Sequence, residues 1–346
     1  MNSTRFEELT ARYRSLRIAL VGDFCLDRYL EIDPARAETS IETGLTVHNV
    51  VRVRSQPGGA GTILNNLAAL GVGRVHAIGF CGDDGEGYEL RRALEAVRTP
   101  EGGACVDTAG FRTAASRRTF TYCKPLVVEA GKNPVELNRL DSKNWTATPA
   151  ELEAALVESV AAVRDDVDAV ILLDQVDVAE TGVVTRRVRE AVAELFAARP
   201  SVVVLADSRQ GLGEFPKLGF KMNAAELARM SGGGSGGVPE IAAVRDAAAA
   251  LARKNGKPVV VTLAERGIVG AASDGTVEHV AAFPVRGEID VVGAGDSVTA
   301  NLSAALAAGA TIREALQLAM VGASHVVHQL GTTGTANVAQ LRALLF

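Results

Sequence analysis

Four short apolar runs, Ile18–Gly22, Ala169–Leu173, Val202–Ala206 and Val259–Thr262, punctuate the chain, and helical stretches such as Glu151–Arg164 and Thr181–Ala198 lie between them. Runs this short and this unbroken suit strands buried on both faces, the environment of a parallel sheet whose crossovers are helices. The alternation predicts an α/β fold. At 346 residues, 47% of them hydrophobic, the chain can bury one large core, so a single main domain over residues 1–346 with a small appendage is expected. The first apolar run delivers Asp23-Phe-Cys-Leu-Asp27-Arg28-Tyr29 to its C-terminal edge, where open α/β sheets bind ligands. Asp23 and Asp27 can serve there as hydrogen-bond acceptors for a ligand's hydroxyls or as caps of a turn.

A second constraint is chemical. Asp290-Val-Val-Gly-Ala-Gly-Asp296 precedes an Ala/Leu-rich helix that runs from 294 to 308. Gly293, Ala294 and Gly295 can present free backbone N–H groups at the positive end of that helix, which makes an anion site. A carboxylate at the same place repels a phosphate unless it has work to do. Asp296 is therefore a candidate base, removing a proton from the group that attacks that phosphate.

Composition removes several alternatives. A formal charge of −5 with no basic cluster argues against nucleic acid. Cys25, Cys81, Cys105 and Cys123 lack a C-x-x-C spacing, and the five histidines complete no zinc pattern, so the thiols are expected to be reduced and mostly in the core of a cytoplasmic protein. His325 and His328, three apart on an apolar helix spanning 312–329, are read as packing residues. Charges at Arg5, Glu7, Glu8, Arg12 and Arg14 interrupt any signal peptide, and no apolar run reaches membrane-span length. A short docking helix with Thr4 and Glu7 as a capping box opens the chain. Residues 39–57 and about 112–128 have strand-like patterns outside the α/β rhythm, which suggests a small separate sheet. The Ser231–Gly237 tract is expected to be a surface loop before a helix over Pro239–Asn255, and Ile268–Ala272 with Val277–Val280 to form a hairpin.

The D-V-V-G-A-G-D stretch resembles the C-terminal signature of the ribokinase/PfkB family of carbohydrate kinases. Gly58-Gly-Ala-Gly-Thr62-Ile-Leu-Asn65-Asn66-Leu-Ala-Ala-Leu-Gly71 is similar to that family's first signature, with Thr62 where the family has an Asn that contacts substrate, and Gly79–Gly85 is similar to its G-x-D-x-x-G turn. Lys221-Met-Asn223-Ala-Ala-Glu226 matches its N-x-x-E motif, Asp207-Ser-Arg209 its D-P-x-R-like segment, and Thr262-Leu-Ala264-Glu265-Arg-Gly267 its T-x-G-E-x-G segment. G-D-x-x-L-D-R-Y and Gln329-Leu-Gly-Thr332 lean within the family towards the kinase half of heptose-7-phosphate kinase/ADP-heptose synthases, and no nucleotidyltransferase domain is expected beyond Phe346.

The resemblance implies a ribokinase-like, doubly wound, mainly parallel sheet with helices on both faces and a small β lid, the lid also pairing two subunits. It implies an ATP- and Mg²⁺-dependent kinase acting on a sugar or sugar phosphate. Asp296 is then the base and residues 293–295 the anion hole; Asp23, Asp27, Gly58, Gly59 and Asn66 face the sugar. Asn223, Thr262, Glu265, Gly267 and Gly331 face the nucleotide, and Asn223 and Glu226 organise the metal, a spacing that places them on one helix face. Thr62, with one short hydroxyl, predicts a preference other than the usual heptose phosphate. Two rival readings are a pseudokinase that binds sugar or nucleotide as a regulator, and a dinucleotide-dependent oxidoreductase. The oxidoreductase is disfavoured because the first strand is not followed by G-x-G-x-x-G.

Overall fold

Between Arg17 and Gly22 the chain forms a strand whose side chains point alternately to two separate cores, Ile18 and Leu20 into one, Ala19 and Val21 into the other. The computed structural model describes residues 1–230 and 240–346. The Gly-rich tract and the expected helix start at Pro239 lie outside them. In chain order the elements are α1 (Ser3–Ala11), β1 (Arg17–Gly22), β2 (Phe24–Ile32), β3 (Glu38–Thr39), β4 (Thr46–Val47), β5 (Val50–Gly59), α2 (Ala60–Ala69), β6 (Arg74–Gly82) and α3 (Gly85–Ala96). Five strands follow, β7 (Val106–Asp107), β8 (Phe111–Ala114), β9 (Thr121–Val127), β10 (Val135–Glu136) and β11 (Leu140–Ser142). The α/β series resumes with α4 (Ala150–Val163), β12 (Ala169–Asp174), α5 (Arg186–Ala197), β13 (Val203–Ser208), β14 (Gly219–Asn223), α6 (Ala224–Met230), α7 (Ile241–Asn255) and β15 (Val259–Thr262). It ends with β16 (Ile268–Ala271), β17 (Val277–Val280), α8 (Ala294–Ala307), α9 (Ile312–Val326) and α10 (Val338–Leu345).

The main sheet has the order β17-β16-β15-β14-β13-β12-β1-β6-β7, with β8 also beside β6. It is parallel from β15 through β7, and β16 runs antiparallel to both of its neighbours, β15 and β17. From β1 the chain winds first to β6 on one side and later returns to β12 on the other. The order therefore reverses between β1 and β12, and a crevice opens there at the C-terminal ends of the strands. Helices α2, α8 and α9 pack on one face of the sheet, α4, α5 and α7 on the other.

A second sheet, β10-β9-β2-β5 with β11 beside β9, is formed by five strands, and β3 and β4 make a separate pair. Its central strand, β2, carries the Asp27–Tyr29 stretch that the sequence places at a sheet edge. Of the two spans with strand-like patterns, 50–59 and 121–127 join this sheet, whereas Phe111–Ala114 pairs with β6 in the main one. Two helix starts also differ from expectation. In α1 the cap is Asn2, whose side chain accepts from the Arg5 N–H at 2.8 Å, and not Thr4. Helix α5 begins at Arg186 because the Val183 N–H donates to Asp23 and holds the preceding residues in a loop.

Candidate active site

The crevice floor is made of acids at strand ends. Asp23, just past β1, accepts from the Gln175 N–H at 2.8 Å and the Val183 N–H at 2.7 Å, one on each carboxylate oxygen. Burial pushes it up to about 6. Asp174, at the end of β12, accepts from the Ser208 hydroxyl at 2.7 Å and is pushed up to about 7 by burial and by Asp23. Two acids this close in a dry site resist carrying two charges together. With an N–H on each oxygen and 1% exposure, Asp23 pins the 175–183 loop. Asp27 differs. It projects from β2 with its Oδ1 3.8 Å from the Lys124 ammonium, and its charge is felt at Asp296.

Opposite stands the start of α8. Gly293 takes φ +83°, no side chain caps the helix, and the Ala294 N–H turns back to the Val291 carbonyl at 3.2 Å. The N–H groups of Gly295 and Asp296 are the ones a first helical turn leaves without an intrahelical acceptor. Burial pushes the partly exposed Asp296 carboxyl up to about 7, opposed by Lys221 and reinforced by Asp207 and Asp27. Lys221, in β14, is buried at 8% exposure and donates to Asp207 Oδ2 at 2.7 Å, an oxygen that also accepts from Thr299 of α8 at 3.1 Å. A Cβ on Gly295 would lie 3.1 Å from the Lys221 Nζ, so this ammonium stands against the helix start. Although burial lowers the Lys221 pKa, the net shift is upward because Asp207 and Asp296 favour its charge. Sequence reasoning missed Lys221 as a site residue, although a lysine inside the apolar strand Gly219–Asn223 needs a buried partner.

The residues expected around the sugar divide. Gly58 lies directly beneath Asp27, whose Oδ2 is 2.5 Å from the position a Cβ would take. Gly59 adopts φ +57°, and a Cβ there would meet the Asp23 carbonyl oxygen at 2.4 Å, the same oxygen that accepts the Ala60 N–H at 3.0 Å. The start of α2 is therefore closed by its neighbours. Asn66 is fully buried and donates to the carbonyls of Thr62 at 3.0 Å and Gly334 at 3.3 Å, so it ties α2 to the closing loop, residues 330–335 between α9 and α10, while its Oδ1 has no partner among the described residues. Thr62, on the same helix, is 1% exposed.

On the other side, Asn223 and Glu226 form a reciprocal capping box at α6: Asn223 Oδ1 accepts from the Glu226 N–H at 2.9 Å, and Glu226 Oε2 accepts from the Asn223 N–H at 2.7 Å. The Asn223 carbonyl is engaged, and its free N–H groups suit an anion better than a cation. Thr262 donates to the Met222 carbonyl at 3.4 Å; Glu265 is exposed. Gly267, at φ +95°, is buried against the hairpin, where a Cβ would be 2.0 Å from the Val280 oxygen, so its glycine is a packing requirement. The Gly331 N–H donates to Asp290 Oδ2 at 3.3 Å, which joins the closing loop to the head of the α8 motif. His328 accepts from the Arg286 N–H at 3.1 Å and its other nitrogen bonds the Ser324 carbonyl at 2.7 Å, a packing role. Val285, Ile289, Val291, Val292 and Leu330 are exposed in the two segments that Asp290 joins. Among the described residues no group of three metal-ligating side chains occurs, and no helix is long and apolar enough to cross a membrane.

Comparison with known proteins bears on the family and the fold. The family model described as pfkB family carbohydrate kinase matches residues 23–338. The chain is 30% identical over 348 residues to the Bifunctional protein HldE of Hyphomonas neptunium, covering 99% of this chain and 66% of that protein. It is 31% identical over 333 residues to the protein of that name from Gluconacetobacter diazotrophicus, covering 96% and 64%. The chain thus spans just under two thirds of the length of these curated relatives. Among solved structures, phosphofructokinase-2 from Escherichia coli in complex with fructose-6-phosphate superposes with a TM-score of 0.66 at 19% identity, covering 95% of this chain and 97% of that one. Arabidopsis thaliana ribokinase complexed with ribose and ATP gives a TM-score of 0.62 at 18% identity, covering 95% and 98%.

Proposed function

Because the chain belongs to the pfkB family of carbohydrate kinases, we propose that it transfers the γ-phosphate of ATP to a hydroxyl of a sugar or sugar phosphate, a heptose phosphate being the first acceptor to try. The observation that carries this reading is Asp296, held near neutrality beside an open helix start and a buried lysine. The acceptor hydroxyl gives its proton to the Asp296 carboxylate as its oxygen bonds to the γ-phosphorus, and the bond from that phosphorus to the bridging oxygen breaks to leave ADP. A base with a pKa near the working pH combines availability with driving force. The N–H groups of Gly295 and Asp296 and the Lys221 ammonium meet the charge on the transferred group, in a site where burial strengthens each contact.

Asp27, over Gly58, is the acid left to bind acceptor hydroxyls, while Asp23 builds the floor. Asn223 would meet nucleotide phosphate through its side-chain N–H groups, and the exposed apolar residues of 285–292 with Leu330 would hold the base. Mg²⁺ fits a donor set of this kind, since it keeps most of its waters and needs few protein oxygens. The Glu226 oxygen outside the capping box would hold it through water, where it would supply charge neutralisation to the polyphosphate. The second sheet would cover the acceptor as a lid, and its edge strand β5, with Val50, Val51 and Val53 exposed, would pair two copies.

The deciding experiment is ADP release from ATP on a panel of free and phosphorylated sugars, a heptose 7-phosphate included, with and without Mg²⁺. Turnover of at least one acceptor that depends on Mg²⁺ is expected. Nucleotide binding without turnover of any acceptor would instead support the regulator reading.

A further inference from the structure

The second sheet reaches the loop over 330–335 through the Gln56 side chain. Gln56 lies near the end of β5, opposite Asp27 in the antiparallel register with β2. Its Nε2 donates to the Thr333 hydroxyl at 2.8 Å, and its Oε1 accepts from the Thr332 hydroxyl at 3.3 Å. Both partners belong to the closing loop, which also touches the head of the α8 motif and, through Gly334, helix α2. Thr333 lies 3.3 Å from where a Cβ of Gly293 would be, Gly331 donates to Asp290, and Gly334 accepts from Asn66. The loop therefore touches the head of the α8 motif at both Asp290 and Gly293. On the other flank, Gln56 is followed directly by Pro57 and Gly58, and Gly58 lies against the Asp27 carboxylate. A sugar hydroxyl that moves Asp27 must move Gln56 as well, because neighbours in a packed sheet shift together.

We infer that Gln56 is a positioning residue, a latch through which occupancy of the acceptor side sets the loop that frames the anion hole. The inference rests on the phosphotransfer reading and adds to it a source of synergy between the two substrates. Coupling of this kind is worth roughly 5- to 150-fold in affinity and is reciprocal. Two polar groups half-buried between separate parts of the fold can carry it, since their bonds exist only when lid and loop are in register.

The test is a double-mutant cycle. Gln56→Leu keeps the bulk and loses both bonds; Thr333→Val keeps the shape and loses the hydroxyl. The affinity of a non-hydrolysable ATP analogue is measured by calorimetry with and without saturating heptose 7-phosphate, or the best acceptor of the panel. Wild type is expected to bind the analogue about tenfold tighter with acceptor present. Each single variant and the double variant should lose that gain to within about twofold, with the binary affinities unchanged, because the pair acts as one unit. Synergy retained in Gln56→Leu, or additive losses, would overturn the latch. A general structural defect would instead weaken both binary affinities.

Hydrogen exchange on the ligand-free protein gives an independent reading if no acceptor is turned over. Gln56→Leu should speed exchange across 330–335 by about tenfold and leave α8 unchanged. Equal exchange in both proteins would overturn the latch whatever becomes of the kinase reading.

Discussion

The starts of α2 and α8 look alike in sequence, each a glycine-led run into an Ala/Leu-rich helix, and the structure uses them in opposite ways. At α2 the glycines let the chain pass through a tight space. Gly59 faces the Asp23 carbonyl, Gly61 faces Pro57 at 2.3 Å from a would-be Cβ, and the Ala60 N–H is already bonded. At α8 the Gly295 position meets only the tip of a lysine, and the helix has no side-chain cap. The first start is closed by backbone and a proline ring, whereas the second meets a lysine tip and the Thr333 side chain and leaves the Gly295 and Asp296 N–H groups without an intrahelical acceptor. Glycine in such a run marks close approach in both cases; what distinguishes them is whether the approaching group is fixed backbone or a side chain that can move.

The largest effect expected from breaking that contrast is at Asp296. Asp296→Asn should lower kcat by roughly 10²–10⁴ while ATP binding persists. Wild-type kcat/KM should fall on the acid side with an apparent pKa near 7, the value to which burial raises this carboxyl. The stability effect has the opposite sign. A carboxyl raised from the ordinary 3.8 to about 7 binds more protons folded than unfolded in that interval, so stability is lost as pH rises through it. The Asn variant should therefore melt higher than wild type at pH 8, with the difference gone near pH 4. An inactive variant that also melts lower at pH 8 would mean that Asp296 holds the fold and is no base.

Next in size is Lys221. Lys221→Met should reduce kcat by about 10²–10³, as for other lost oxyanion donors. It should also destabilise by about 3 kcal/mol, because Asp207 is left buried without its cation. Adding Asp207→Asn should restore the denaturation midpoint and not the rate. Recovery of both would reduce Lys221 to a structural partner of Asp207.

The alternation of apolar runs and helices made the parallel sheet legible, since strands buried on both faces have few sequences open to them. The start of α8 was legible too, because three small residues before an Ala/Leu-rich run mark a helix start, here one without a side-chain cap. Lys221 and Asp207 were each visible and their pairing was not, for nothing local says that β13 and β14 are neighbours. Asn223 and Glu226 show why a spacing of three is not decisive: it serves a capping box as well as a metal, and the folded chain forms the box with one oxygen of Glu226 left over. Asp23 and Asn66 stood out by position, but their bonds to segments distant in sequence, at 175, 183 and 334, did not.

The contrast itself is tested by placing one methyl group at each start. Gly59→Ala forces a Cβ against backbone in a conformation that side chains avoid, and should destabilise by more than about 2 kcal/mol. Gly295→Ala meets a flexible ammonium, so stability should stay within about 1 kcal/mol. Its kcat should fall about ten- to a hundredfold through the displaced Lys221. Denaturation midpoints and rates on both variants decide the matter, and the same pattern in both would erase the distinction.

The smallest effect isolates what makes a glycine necessary. Ala264, in the turn after β15, has φ +52°, a left-handed conformation comparable in sign to that of Gly59. Yet it is exposed, and its carbonyl accepts the Gly267 N–H at 3.0 Å to close the turn. Here φ is unfavourable and the space is open, whereas at Gly59 both work against a side chain. The left-handed conformation costs a Cβ about 1–2 kcal/mol. Glycine regains most of that as entropy of the unfolded chain, about 0.4–1 kcal/mol. Ala264→Gly should therefore stabilise by no more than about 1 kcal/mol, with kcat unchanged. Stabilisation well beyond that would show that φ alone sets the penalty, and the wall of backbone at Gly59 would no longer be needed to explain why that position is glycine.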